Sequence, residues 1–144
     1  MTEIPMKYQT TYQWQAKGVE GVINIEGHAE LPVGAPLAPD RYCPEHLLVA
    51  AAETCLANYV MSIASMSKLE VTDYHSSAEG ELEHNDKAGY RFKRIIIRPE
   101  LTITGTSKAL AEQVLKKAHK ACLIAHSLSC PVNIEPRIIT WVSQ

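Results

Sequence analysis

At 144 residues the chain has the size of one ordinary domain and can bury a real core; 46% of it is hydrophobic, yet only 6% is aromatic. The formal net charge of -2, with acidic and basic residues interspersed, leaves no basic face to follow a phosphate backbone, which argues against nucleic acid as a partner. Ala, Ile, Leu and Val supply most of the apolar content, so a helix-rich core of small residues is expected.

The start, Met1 to Lys7, has neither the cationic opening nor the apolar run of a secretory signal. No uninterrupted apolar segment approaches the ~20 residues of a membrane span. The expectation is a cytoplasmic protein with no membrane partner, its four cysteines mostly reduced. The cysteines then point to thiol chemistry and not to a disulfide scaffold.

In chain order, Lys7 to Gln15 alternates bulky and polar positions through Tyr8, Thr10, Tyr12 and Trp14, a strand pattern. Gly18 and Gly21 supply a turn before Val22-Ile23-Asn24-Ile25, giving an N-terminal hairpin. Leu31 to Asp40, rich in Pro and Gly, reads as a loop. Pro44 suits a first helical turn, where its missing N–H has no partner to lose, and the helix is expected to run to about Lys68. Two strands, Glu70 to Glu83 and Tyr90 to Thr104, flank the polar turn His84 to Gly89. A helix from about Ser107 to Ala121 carries Leu110, Val114, Leu115 and Ala118 at three- and four-residue spacing. A short turn over Leu123 to Ser129 and a strand over Val132 to Val142 complete a single α+β domain, residues 1–144, with a mostly antiparallel sheet.

Cys55 lies in the middle of the apolar helical run Pro44 to Met61, and Cys122 ends the late helix. A thiol in an apolar helix is ordinarily a small buried hydrophobe, so context has to assign it more. That context is the ordered set Pro44-Glu45-His46-Leu47-Leu48, Cys55 ten residues after Glu45, Leu69 to Tyr74, and Ala118-His119-Lys120-Ala121-Cys122. Over nearly the whole chain this set resembles the OsmC/Ohr family of organic hydroperoxide reductases. The resemblance implies the OsmC-like fold: antiparallel sheets wrapped around central helices in an intertwined homodimer, with active sites at the subunit interface. It also implies that Cys55 attacks the peroxide and Cys122 resolves the sulfenic acid to a disulfide. No bound cofactor is implied; an organic hydroperoxide is the substrate, and a dithiol, lipoyl-type or a small thiol, is the reductant.

In the family an arginine of the N-terminal hairpin, held by the glutamate matching Glu45, favours the thiolate. This sequence departs there: aligning Gly18-Val19-Glu20-Gly21 with the family's Gly-Arg-Asp-Gly turn puts Val19 in the arginine's place. Arg41, four residues before Glu45, is the loop cation that could replace it, with a solvated loop arginine as the plainer reading. Leu123 also replaces the family's proline after the second cysteine. Spacing adds a constraint. Ten helical residues place Glu45 and Cys55 about 15 Å apart along the axis and on different faces. Glu45 can therefore serve Cys55 only from a partner chain or through a helix break; its simpler role is a first-turn carboxylate favoured by the helix dipole.

Cys43, His46, His119, Cys122 and His126 include zinc-ligand types, but a distant loop would have to gather them and no compact Cys-x-x-Cys pair exists, so no metal is assigned. Cys130 before Pro131 reads as a small turn residue close enough in sequence to compete for Cys122. Two readings follow: a thiol-dependent peroxidase, or a peroxidase-inactive small-molecule or metal-binding protein of the same fold, the latter in keeping with Val19.

Overall fold

Strand alternation in the first 25 residues yields a hairpin, but a shorter and later one than the pattern predicts. In the computed structural model, which describes residues 4–105 and 107–141, β1 is Thr11–Lys17 and β2 is Glu20–Asn24. They pair antiparallel from Thr11↔Asn24, and the register shifts between Trp14 and Lys17, where Ala16 takes a left-handed φ of 59°. β3, Leu31–Val33, lies inside the segment expected to be loop and pairs with β2. Pro32 is tolerated there because β3 is an edge strand.

The chain divides into two compact units, Met1–Leu48 and Val49–Gln144. The first holds the three-stranded sheet β1-β2-β3 and the start of helix α1, Pro44–Met66. The first helical bond runs from the Leu47 N–H to the Cys43 carbonyl, so Cys43 caps the helix and Pro44 occupies its first position, as expected. At 23 residues α1 is long and apolar enough to cross a membrane by length and composition alone, although its apolar run is not an uninterrupted one. Glu45, His46, Glu53 and Asn58 break its apolar runs without lowering the average far enough to matter.

The second unit is built on a long hairpin, β4 (Val71–Asn85) and β5 (Gly89–Thr104). Alternation along β5 sends Ile95, Ile97, Leu101 and Ile103 inward, where they meet the α1 stripe Ala52, Leu56, Val60 and Ala64 at four-residue spacing. Helix α2, Lys108–Ala121, buries Ala111, Val114, Leu115 and Ala118 in the same core; Leu110, expected there, is only partly buried. Helix α3 is Leu123–Ser127. The outer face of the hairpin carries cross-strand ion pairs, Arg91 with Glu83, Arg94 with Glu81 and Arg98 with Glu79.

The final strand differs from its prediction. It is two strands, β6 (Val132–Ile134) and β7 (Arg137–Trp141), both parallel to β5, so this sheet is mixed. Val142 lies outside the described residues. The chain reaches β5 after crossing over through α2 and α3, which makes a parallel approach natural. The break falls at Glu135-Pro136. Opposite it β5 has Pro99, which lacks an N–H: β6 pairs as far as Ile97 and β7 begins at Glu100, so the gap costs β5 no proline donor.

Candidate active site

Cys122 continues the buried stripe of α2, four residues beyond Ala118, and stands at the junction with α3 with 1% of its surface exposed. Cys55 sits on the flank of the α1 stripe, next to Leu56, and is half-buried. The two thiol side chains are neighbours, close enough to hydrogen-bond. The Cys122 thiol is pushed up from 9.0 to about 11, chiefly by burial; backbone N–H groups of Ala125 and Ile124 pull against that, while hydrogen bonding to the Cys55 side chain and its like charge add to it. No disulfide joins them: both are free thiols, as are Cys43 and Cys130. The arrangement is a half-buried thiol beside a fully buried one.

The residues expected to activate the thiolate lie in the first unit. Arg41 is held by the hairpin: its Nη1 donates to the Gly21 carbonyl at 2.8 Å and to the Val33 carbonyl at 3.2 Å, and its Nη2 donates to Gln15 Oε1 at 2.6 Å. Glu20 lies 3.6 Å from the same nitrogen. Val19 is in the turn between β1 and β2 with 65% of its surface exposed. Glu45 is exposed in the first turn of α1, and the helix runs unbroken from Pro44 to Met66.

Cys43 is 2% exposed and does the work usually given to serine at a helix start: its Sγ accepts the His46 N–H at 3.4 Å, and His46 Nδ1 reaches back to the same sulfur at 3.4 Å. His119 and His126 are instead turned to backbone carbonyls, of Val132 and Lys120 respectively. Among the described residues no group of three His, Cys, Asp or Glu side chains is placed to hold a metal.

Sequence reasoning missed a polar group under the sheet. Glu53 of α1 accepts a hydrogen bond from Ser76 Oγ of β4. Two residues before Ser76, and so on the same face of the strand, the Tyr74 hydroxyl is buried without a hydrogen-bond partner among the described residues. Its pKa is pushed up to about 12 by burial first and the Glu53 charge second. The signal was present in the spacing of Tyr74 and Ser76 by two, but nothing in the chain marks Glu53 of an apolar helix as their neighbour.

Residues 38–137 match the family described as OsmC-like protein, and the chain belongs to that family. It is 30% identical over 99 residues to the uncharacterized protein YmaD of Bacillus subtilis, a match covering 64% of this chain and 63% of that relative's length. Its fold is similar to that of an OsmC-like protein of unknown function from Vibrio cholerae, with a TM-score of 0.83 at 24% identity over 92% of this chain and 99% of the other. It is also similar to an organic hydroperoxide resistance protein from Elizabethkingia anophelis, with a TM-score of 0.70 at 17% identity over 97% of this chain and 100% of the other. A third similar structure is an organic hydroperoxide resistance protein OsmC from Legionella pneumophila, with a TM-score of 0.69 at 20% identity over 92% and 97% of the two chains.

Proposed function

We propose that this protein is a thiol-dependent peroxidase that reduces organic hydroperoxides with Cys55 and Cys122. The observation that carries the reading is the half-buried Cys55 beside a fully buried Cys122 that keeps its proton. The Cys55 thiolate attacks one peroxide oxygen, the O–O bond breaks, and its electron pair leaves on the alkoxide, which takes a proton to become the alcohol. The sulfenic acid on Cys55 then condenses with the Cys122 thiol, forming the S–S bond and releasing water. A dithiol, lipoyl-type or a small thiol, returns the disulfide to two thiols by exchange. Two structural relatives, both organic hydroperoxide resistance proteins, support the substrate class. No cofactor enters this chemistry.

In this reading residues 1–144 act as one domain in a cytoplasmic homodimer, in which Glu45 serves the Cys55 site of the partner and Arg41 supplies the cation that Val19 does not. Support for the dimer comes from α1, an apolar helix that leaves Met61 and Met66 exposed on the isolated chain. Val19 favours a second reading, a peroxidase-inactive protein of the same fold that binds a small molecule. Consumption of cumene hydroperoxide and of hydrogen peroxide with a dithiol reductant separates the two. Faster loss of the organic peroxide, abolished in Cys55→Ser, supports the peroxidase; no consumption of either supports the binding protein.

A further inference from the structure

Cys130 sits in a chemical setting different from that of the Cys55 pair. It lines an open cleft of about 460 Å³ where the end of α2, α3 and the segment entering β6 meet. Lys116, His119, Lys120 and His126 line the same cleft, and among the described residues no carboxylate does. Lys116 and Lys120 are one helical turn apart and so project from the same face of α2. Among the described residues neither lysine has an ion-pair partner. The imidazoles are fixed by backbone: His119 Nε2 donates to the Val132 carbonyl at 2.7 Å and His126 Nε2 donates to the Lys120 carbonyl. A carbonyl only accepts, so each ring carries a proton on Nε2. Cations in the last turn of α2 also suit its dipole, but the dipole explains neither the concave shape nor a thiol in the wall.

We propose that this cleft recruits a low-molecular-weight disulfide bearing carboxylates, and that Cys130 exchanges with it to form a mixed disulfide. The Cys130 thiolate attacks one sulfur of that disulfide. A new S–S bond forms to Cys130, the original S–S bond breaks, and its electron pair leaves on the other half as a thiolate that takes up a proton. Cys130 is oxidised and the departing half is reduced, with no other reactant. The lysines raise the local concentration of the anionic disulfide and offset the negative charge spread over the three sulfurs as the exchange proceeds. The step uses neither Cys55 nor Cys122, so it stands apart from peroxide reduction.

The test treats the full chain with oxidised glutathione, which is anionic, or with cystamine, which is cationic. Adducts are followed by intact mass and peptide mapping, and each rate is divided by that of the same reagent with free cysteine. At low salt the normalised rate at Cys130 should favour oxidised glutathione by roughly ten-fold. The preference should shrink as salt screens the lysines. Charge reversal by Lys116→Glu with Lys120→Glu should invert it, and the milder Lys116→Gln with Lys120→Gln should abolish it. Equal normalised rates, adducts confined to the other cysteines, or a preference indifferent to both lysine pairs would overturn the proposal.

Discussion

Cys122 keeps its proton in the folded chain to about pH 11, against 9.0 for an ordinary thiol, because charging it would leave a thiolate in the core. The unfolded chain therefore loses this proton first as pH rises. The thiol's contribution to stability is whole below pH 9.0 and is lost as pH climbs to about 11, a change on the order of 2–3 kcal/mol. Denaturant midpoints across that window should fall in the wild type and fall less in Cys122→Ala. Tyr74 allows a cleaner test, since its buried hydroxyl has no hydrogen-bond partner among the described residues. Tyr74→Phe should stabilise the fold by about 1 kcal/mol and raise the thermal midpoint by a few degrees, because an unpaired buried hydroxyl costs more than it returns. In the peroxidase reading, Val19→Arg should raise the rate of hydroperoxide consumption at neutral pH and Arg41→Ala should lower it. Arg41 also ties β1, β2 and β3 together through Gln15, Gly21 and Val33, so the thermal midpoint of Arg41→Ala must be measured beside its rate.

Among the elements, α1 packs so closely on the β4–β5 hairpin that one position requires glycine. A Cβ at Gly80 would lie 2.6 Å from Phe92 Cε1 and 2.7 Å from Val49 Cγ2, well inside contact distance. Gly80→Ala should cost about 1–3 kcal/mol, read as a lowered denaturant midpoint with unchanged slope. The hairpin itself was plain in the sequence, because alternation over Ile95, Ile97, Leu101 and Ile103 has only one reading at period two. The helices were equally plain from Pro44 and from the stripe Val114, Leu115 and Ala118. What escaped was pairing that depends on distant chain. β3 is three residues around a proline and exists only because β2 offers it an edge. The split of the last strand follows from Pro136 meeting the gap beside Pro99, and its parallel direction from the crossover through α2 and α3; neither leaves a local pattern. Within the site, Cys55 and Cys122 were identified together through the resemblance, while the Cys43–His46 cap and the Glu53–Ser76 bond depend on side-chain geometry.

For the whole molecule, the apolar α1 with Met61 and Met66 exposed leads to a prediction of association. Sedimentation at low micromolar concentration should give a homodimer, and a stable monomer there would remove both the dimer and the route by which Glu45 serves a partner's Cys55. A single turnover tests the cysteine-pair mechanism most directly. Reduced protein is given one equivalent of cumene hydroperoxide, free thiols are alkylated, and the disulfide is mapped by mass spectrometry. One equivalent of alcohol and a Cys55–Cys122 bridge within one chain are expected. A dominant Cys122–Cys130 bridge, or peroxide left unconsumed with all four thiols alkylated, would contradict the mechanism.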